Sequence, residues 1–178
     1  LTDSHIPVVF VDTAPKFYPC YHVSVENYHI CSRIVEHLYE NGHTNIAYLS
    51  QSVVTLSSLF ERMQGFRAAL KRFGLPCGKQ NFFINADIDK AIEALLDTHP
   101  LPTAVFCGND GSALRLMDVA QKRGIRIPED LSLVGFDDIE EAATVTPALT
   151  TVRQPYREIG RNAGRLISEQ LLKQDAPI

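Results

Sequence analysis

Four apolar runs in this sequence end on polar residues suited to holding a small molecule. Asp12 follows Val8-Val9-Phe10-Val11. Ser50, Gln51 and Ser52 follow Ile46 to Leu49. Gly108, Asn109 and Asp110 follow Ala104 to Cys107, and Asp137 and Asp138 follow Leu131 to Phe136. Past Ser50 the chain enters a helical pattern that carries Arg62 in its early turns. A carboxylate accepts hydroxyl or N–H protons, a guanidinium donates in a planar fork, and a carboxamide does both. Arg62, Asn109 and Asp137 brought to one edge therefore suit a polyhydroxylated or heterocyclic ligand. Each also has a plainer role: Asn109 as the cap of the following helix, Asp137 as a turn residue, and Arg62 as a helix-surface cation. Spacing alone leaves these alternatives open. Asp137, Asp138, Glu140 and Glu141 stand within five positions that hold no Lys or Arg.

Enzyme signatures are missing. The chain has no GxSxG elbow, no phosphate-binding loop, no GxGxxG and no HExxH. Cys20, Cys31, Cys77 and Cys107 form no CxxC pair, so neither zinc nor redox chemistry is indicated. Cys31 and Cys107 read as small buried hydrophobes, and a reducing cytoplasm suits them. His29 and His37 fall on a helical pattern and His43 in a loop. No cofactor or metal is implied.

The elements that position these residues alternate. Strand candidates are Pro7 to Val11, Ile46 to Ser50, Phe82 to Ile84, Ala104 to Cys107, Leu131 to Phe136 and, more weakly, Leu149 to Val152. Their continuous apolar character suits parallel strands covered on both faces. Between them lie amphipathic patterns. One is capped by Asn27 and stopped by Gly42, one is capped by Ser57 or Ser58 and ends at Gly74, and one starts at Asp89. A fourth spans Gly111 to Arg123, and a last one has Pro155 in its first turn. Alternation of this kind predicts an α/β class with doubly wound, mostly parallel sheets, whose ligands bind outside the carboxyl ends of the strands.

Composition limits the partners. The 178 residues are 45% apolar and carry a net charge of −4. Lys71-Arg72 and Lys122-Arg123 are isolated basic pairs near helix ends, not a nucleic-acid surface. No run has the length of a membrane span, so no membrane partner is expected.

In order along the chain, IPVVFVD, VEHLYENGHTNIAYLS, ERMQGFRAALKRFGL, PTAVFCGNDGSAL, GIRIPEDLSLVGFDD and PALTTVRQPYREIGRNAGRLI resemble the effector-binding domain of LacI-type transcriptional regulators. The likeness covers nearly the whole chain. It implies a two-lobe, periplasmic-binding-protein-like architecture with the first lobe incomplete. Residues 1–49 and 154–178 would belong to the N-terminal lobe and residues 50–153 to the C-terminal lobe. It further implies a non-enzymatic, cytoplasmic homodimer that binds a sugar, sugar derivative or nucleobase. Operator DNA would be met through an N-terminal domain not in this sequence. By motif position, Arg62, Asn109 and Asp137 would contact the effector, Tyr156 would line the cleft, and His29 would be a first-lobe polar contact. A periplasmic sugar-binding protein of a transporter shares the fold and is the rival reading. Two stretches depart from the family: PKFYPCYHVSVENYH has Glu26-Asn27 where Asp-Asn is common, and CGKQNFFINADID is short and lacks an obvious pocket aromatic.

Acidic charge and scattered cations give one direct expectation. These 178 residues alone should bind no operator DNA, because they offer phosphates no clustered positive charge. Salt-sensitive, sequence-specific retardation of DNA by the isolated chain would contradict this.

Overall fold

The structure, a computed structural model, describes residues 7–15, 19–51 and 57–174. Its elements run β1 (Val9–Val11), β2 (Tyr21–Val23), α1 (Asn27–Glu40), β3 (Ile46–Ser50), α2 (Ser57–Arg72), β4 (Phe82–Ile84), α3 (Ile88–Leu96), β5 (Ala104–Cys107), α4 (Asp110–Lys122), β6 (Ser132–Val134), α5 (Glu140–Thr144) and α6 (Tyr156–Gln174). Two parallel sheets result: a small one, β1-β2, and a four-stranded one in the order β4-β3-β5-β6.

Alternation along the central strands explains why both faces of the larger sheet are covered. Ile46 and Tyr48 point to one side, where they meet Ile34, Val35 and Leu38 of α1 and Met63, Phe66 and Leu70 of α2. Ala47 and Leu49 point to the other, against Ile92 and Leu95 of α3 and Ala113 and Leu116 of α4. Successive strand residues face opposite ways, so a run apolar at every position needs helices on both faces. Each such fully buried large side chain contributes about 1.5–3 kcal/mol. Tyr48 centres an aromatic group with Phe66, Phe82 and Phe106, ring centroids 5.5, 6.4 and 5.4 Å away, so the half-buried Phe82 packs against the core. Cys31 and Cys107 are buried, and burial pushes both thiols well above their usual range.

Several expected boundaries move. The first strand shortens to Val9–Val11 and the fifth expected one to Ser132–Val134, while Leu149 to Val152 makes a single bridge, Val134 to Thr150, followed by another from Asp137 to Arg153. A strand at Tyr21–Val23 and a short helix at Glu140–Thr144 were not anticipated. Asn27 is the first residue of α1, not its cap. Its carboxamide turns inward to Arg62 instead. The cap of α3 is Asp87, whose carboxylate accepts from the Asp89 amide. Gly42, Gly74 and Gly124, at φ +88°, +67° and +73°, end their helices in the left-handed conformation anticipated for the first two.

Sheet membership also divides the chain differently from the lobe boundary expected at Leu49/Ser50. β3 is an inner strand of the four-stranded sheet and α1 lies against α2, so residues 27–50 go with that sheet. α6 returns to rest on β1 and β2.

The α1–α2 crossing depends on one missing side chain. A Cβ on Gly65 would stand 2.1 Å from the Tyr28 carbonyl oxygen. Gly65→Ala should therefore lower stability by about 1–3 kcal/mol in urea unfolding, as overpacking does. Gly160→Ala in α6, where a Cβ meets nothing within 4 Å, should raise it by about 0.5–1 kcal/mol through helix propensity. Equal effects at the two positions would remove the steric account of the crossing.

Candidate functional site

The carboxyl ends of β1, β5 and β6 converge on the guanidinium of Arg62. This residue sits on the buried face of α2, one position before Met63, and its side chain is 3% exposed. Burying an unpaired cation costs several kcal/mol, so its partners must come from neighbouring elements. Its Nε donates to Asn27 Oδ1 at 2.8 Å and its Nη1 to the Gly108 carbonyl at 2.7 Å. The Asp12 carboxylate lies 3.5 Å from Nη2 and the Asp137 carboxylate 3.6 Å from Nη1. The Phe136 ring covers the guanidinium plane at 3.7 Å, which adds a cation–π attraction.

Backbone shape aims the carboxylates. Asp12, Asp137 and Asp138 have φ of +61°, +126° and +59°. Non-glycine residues rarely enter this region, though Asp and Asn do so more readily than most. The two strands therefore end in abrupt turns that bring Asp12 and Asp137 over Arg62.

Asp137 is also where the chain leading into α6 is fastened. Its amide donates to the Val152 carbonyl at 2.9 Å, its Oδ1 accepts from Gln154 Nε2 at 2.7 Å, and its carbonyl accepts from the Tyr156 hydroxyl at 3.1 Å. Gln154 is buried, and its Oε1 has no hydrogen-bond partner among the described residues. Asp110, fully buried at the start of α4, accepts from Thr151 Oγ1 at 2.5 Å and from the Ile139 amide at 3.0 Å. A Cβ on Gly135 would lie 2.1 Å from its Oδ1, so only glycine fits there. Arg153 pairs with Asp138. The acidic run thus receives cations from residues distant in sequence.

Of the five residues singled out from the sequence, the structure brings together Arg62, Asp137 and Tyr156. Asn109 takes the capping role: its Oδ1 accepts from the Ser112 amide at 2.8 Å. His29 is exposed on α1, edge-on to the Tyr28 ring. Asp12, Asn27 and Gln154 belong to the cluster but were missed as a group. Asp12 carried the same end-of-strand signal as Asp137. Nothing local marks Asn27 or Gln154, because their partners lie 35 and 17 residues away.

Concave surfaces of about 250 and 400 Å³ lie elsewhere. The first is lined by His37, His43, Met117 and Pro147, and the second by Ile30, Ile34, Thr150 and Val152. Neither gathers opposed charges as the strand-end cluster does. No group of three or more potential metal ligands exists among the described residues, and no helix described is long and apolar enough to cross a membrane.

Residues 35–178 match the family model of the periplasmic binding protein-like domain. The HTH-type transcriptional repressor PurR of Vibrio atlanticus is 40% identical over 145 residues, 79% of this chain and 43% of that protein. The crystal structure of a putative ribose operon repressor from Burkholderia thailandensis superposes with a TM-score of 0.84 at 30% identity, covering 95% of this chain and 63% of the other. A complex of the transcriptional regulator CelR with cellobiose gives 0.84 at 28% identity, covering 94% and 53%. The chain thus spans 43% to 63% of the length of these proteins.

The position of Asp137 sets a pH dependence. Burial raises its carboxyl above the usual value. The Gln154 hydrogen bond and the Arg62 charge oppose the rise, and Asp110 and Asp12 add to it. A raised folded-state pKa means that its stabilising contribution is complete below the unfolded value near 4 and is lost as pH rises through the folded value. Asp137→Asn should therefore gain in melting temperature relative to the parent as pH is raised from about 3.5 to 7. A gain that shrinks over that range would show the ionised carboxylate to be net stabilising.

Proposed function

The chain belongs to the periplasmic-binding-protein-like domain family, where its relatives are LacI-type transcriptional regulators, and from that premise we propose that it is the effector-sensing module of such a regulator. The observation that carries the reading is the Asp12–Arg62–Asp137 cluster at the carboxyl ends of the strands, where open α/β sheets bind ligands. Asp12 follows β1 of the small sheet, whereas Arg62 on α2 and Asp137 after β6 go with the large one. A molecule placed there touches both.

Coupling follows from Asp137. Its carboxylate and carbonyl hold Gln154 and Tyr156, the entrance to α6, and α6 rests on the small sheet. An effector that takes the carboxylate competes with Gln154 and so favours one arrangement of the two sheets over another. It shifts the equilibrium only by its difference in affinity for the two. In the intact protein that shift alters how a pair of DNA-reading heads fits operator DNA. The pair requires a homodimer, for which we propose the exposed side of α4 and residues 139–147. In this reading the protein acts by binding, in the cytoplasm, with no catalytic step. Asp137 and Tyr156 meet the effector and Arg62 holds the carboxylate in place. We also propose the amide nitrogen of Asn109, whose oxygen caps α4, and His29 as further polar contacts. The names of the relatives favour a regulator over a transporter's binding protein.

The test is one mutant measured two ways. A hydrogen bond to a charged group is worth about 1.5–3 kcal/mol, so Asp137→Ala should weaken effector binding about 10- to 100-fold in calorimetric titration. The melting temperature of the free protein should hold or rise. A destabilised protein with unchanged affinity would mean that Asp137 is structural and the site is elsewhere.

A further inference from the structure

We infer that the cavity beside His43, at the amino ends of the large sheet's strands, is a second ligand site that takes a compact carboxylate with an apolar body, held by the imidazole of His43. It stands apart from the Arg62 cluster, which occupies the carboxyl ends of the strands, and does not depend on the effector-sensing reading.

The chain places His43 by a sharp reversal after α1. Gly42 takes φ +88°, and the His43 amide then donates to the Leu38 carbonyl at 3.0 Å. The ring lines a cavity of about 250 Å³ with His37 and Asn41 at the end of α1 and with Ser132 at the start of β6. Its apolar walls include Leu133 and Ile127. That volume is just below the usual range of ligand pockets, about 300–1,000 Å³, so the ligand must be small.

Hydrogen bonding fixes which ring nitrogen is left over. The Thr103 hydroxyl donates to the Asn45 carbonyl at 3.3 Å, which engages its one proton. The 3.0 Å contact between His43 Nδ1 and Thr103 Oγ1 must then be an imidazole N–H donating to the hydroxyl oxygen. In the neutral ring Nε2 is thereby the bare acceptor, and it has no partner among the described residues. A carboxylate bound there brings or recruits one proton to Nε2. Both ring nitrogens then donate, Nδ1 to Thr103 and Nε2 to the ligand.

The surroundings favour an anion. His37 and His43 are the only titratable residues lining the cavity, and no Asp or Glu does so. The groove that adjoins it at His37 adds Arg33, one turn back on α1, and again no carboxylate. Burial, and then the charge of His37, lower the His43 pKa. An anion between the two rings offsets both effects, so binding takes up a proton and weakens as pH rises.

The experiment titrates the intact protein with benzoate and with its uncharged isostere benzamide. Calorimetry in two buffers of different ionisation enthalpy reads proton uptake, and the histidine Cε1–H signals in NMR report each ring. Benzoate should be favoured over benzamide by at least about fivefold at about pH 5.5, and should bind at least about tenfold more weakly at about pH 7.5. It should raise the His43 pKa. His43→Gln should remove the proton uptake. Ala148→Trp, which fills the exposed mouth of the cavity without touching the His43–Thr103 bond, should weaken benzoate at least about tenfold. Binding of neither probe, a preference for benzamide, or benzoate affinity indifferent to pH overturns the ligand class. Benzoate binding that survives Ala148→Trp, or proton uptake that is lost with His37→Gln and kept with His43→Gln, overturns the site as drawn.

Discussion

A buried guanidinium organises the functional end of this molecule. Removing the Arg62 charge from water is costly, and only a set of partners with good geometry offsets it. Those partners are five residues from four separated places: Asp12 after β1, Asn27 at the start of α1, Gly108 after β5, and Phe136 and Asp137 after β6. Because one cation must meet all of them, the strand ends cannot shift independently. Gly108 shows how tight the requirement is. A Cβ there would lie 2.7 Å from Ser50 Oγ and 3.1 Å from Leu59 Cδ2, so a side chain would push the carbonyl away from Arg62.

The same constraint ties the two sheets together. Thr13 and Ala14 engage the Ser57 hydroxyl at 3.3 and 2.9 Å, beside the longer Asp12–Arg62 contact. On the other side of the cluster, Gln154 and Tyr156 reach back to Asp137 as the chain enters α6. Interactions of this kind are rearranged at modest cost, because the Asp12 and Asp137 carboxylates are partly solvated and a ligand can replace their donors. The apolar layers beneath, with Tyr48, Phe66, Phe106 and Leu116 fully buried, do not have that freedom. The molecule therefore pairs a rigid base with a polar rim that responds to what binds there.

Much of the rigid base was legible in the sequence. β3, β4 and β5 fall on the anticipated residues: β3 and β5 are buried on both faces and write themselves as unbroken apolar runs, and the half-buried edge strand β4 is a shorter run of the same kind. Helix stops at Gly42 and Gly74 were legible because a left-handed residue is nearly a glycine monopoly. β2 and α5 were not, being three and five residues long, too short for any period to show. The sheet that β3 joins was not legible either, because β3 has the same composition whichever sheet it joins. Only its pairing with β4 and β5 assigns it.

By itself, then, the sequence determined the α/β class, the parallel layering and the rule that polar residues at strand ends matter, since hydrophobic period and end-of-strand chemistry are local properties. Tertiary structure decided what those residues do. Asn109 and Asp137 carry the same end-of-strand signal, yet one caps a helix and the other joins the charge cluster. Arg62 read equally well as an exposed cation and lies buried under two carboxylates. The reason is physical: the environment of a charge is set by groups tens of residues away in sequence, and no local pattern records which of them the fold brings within 4 Å.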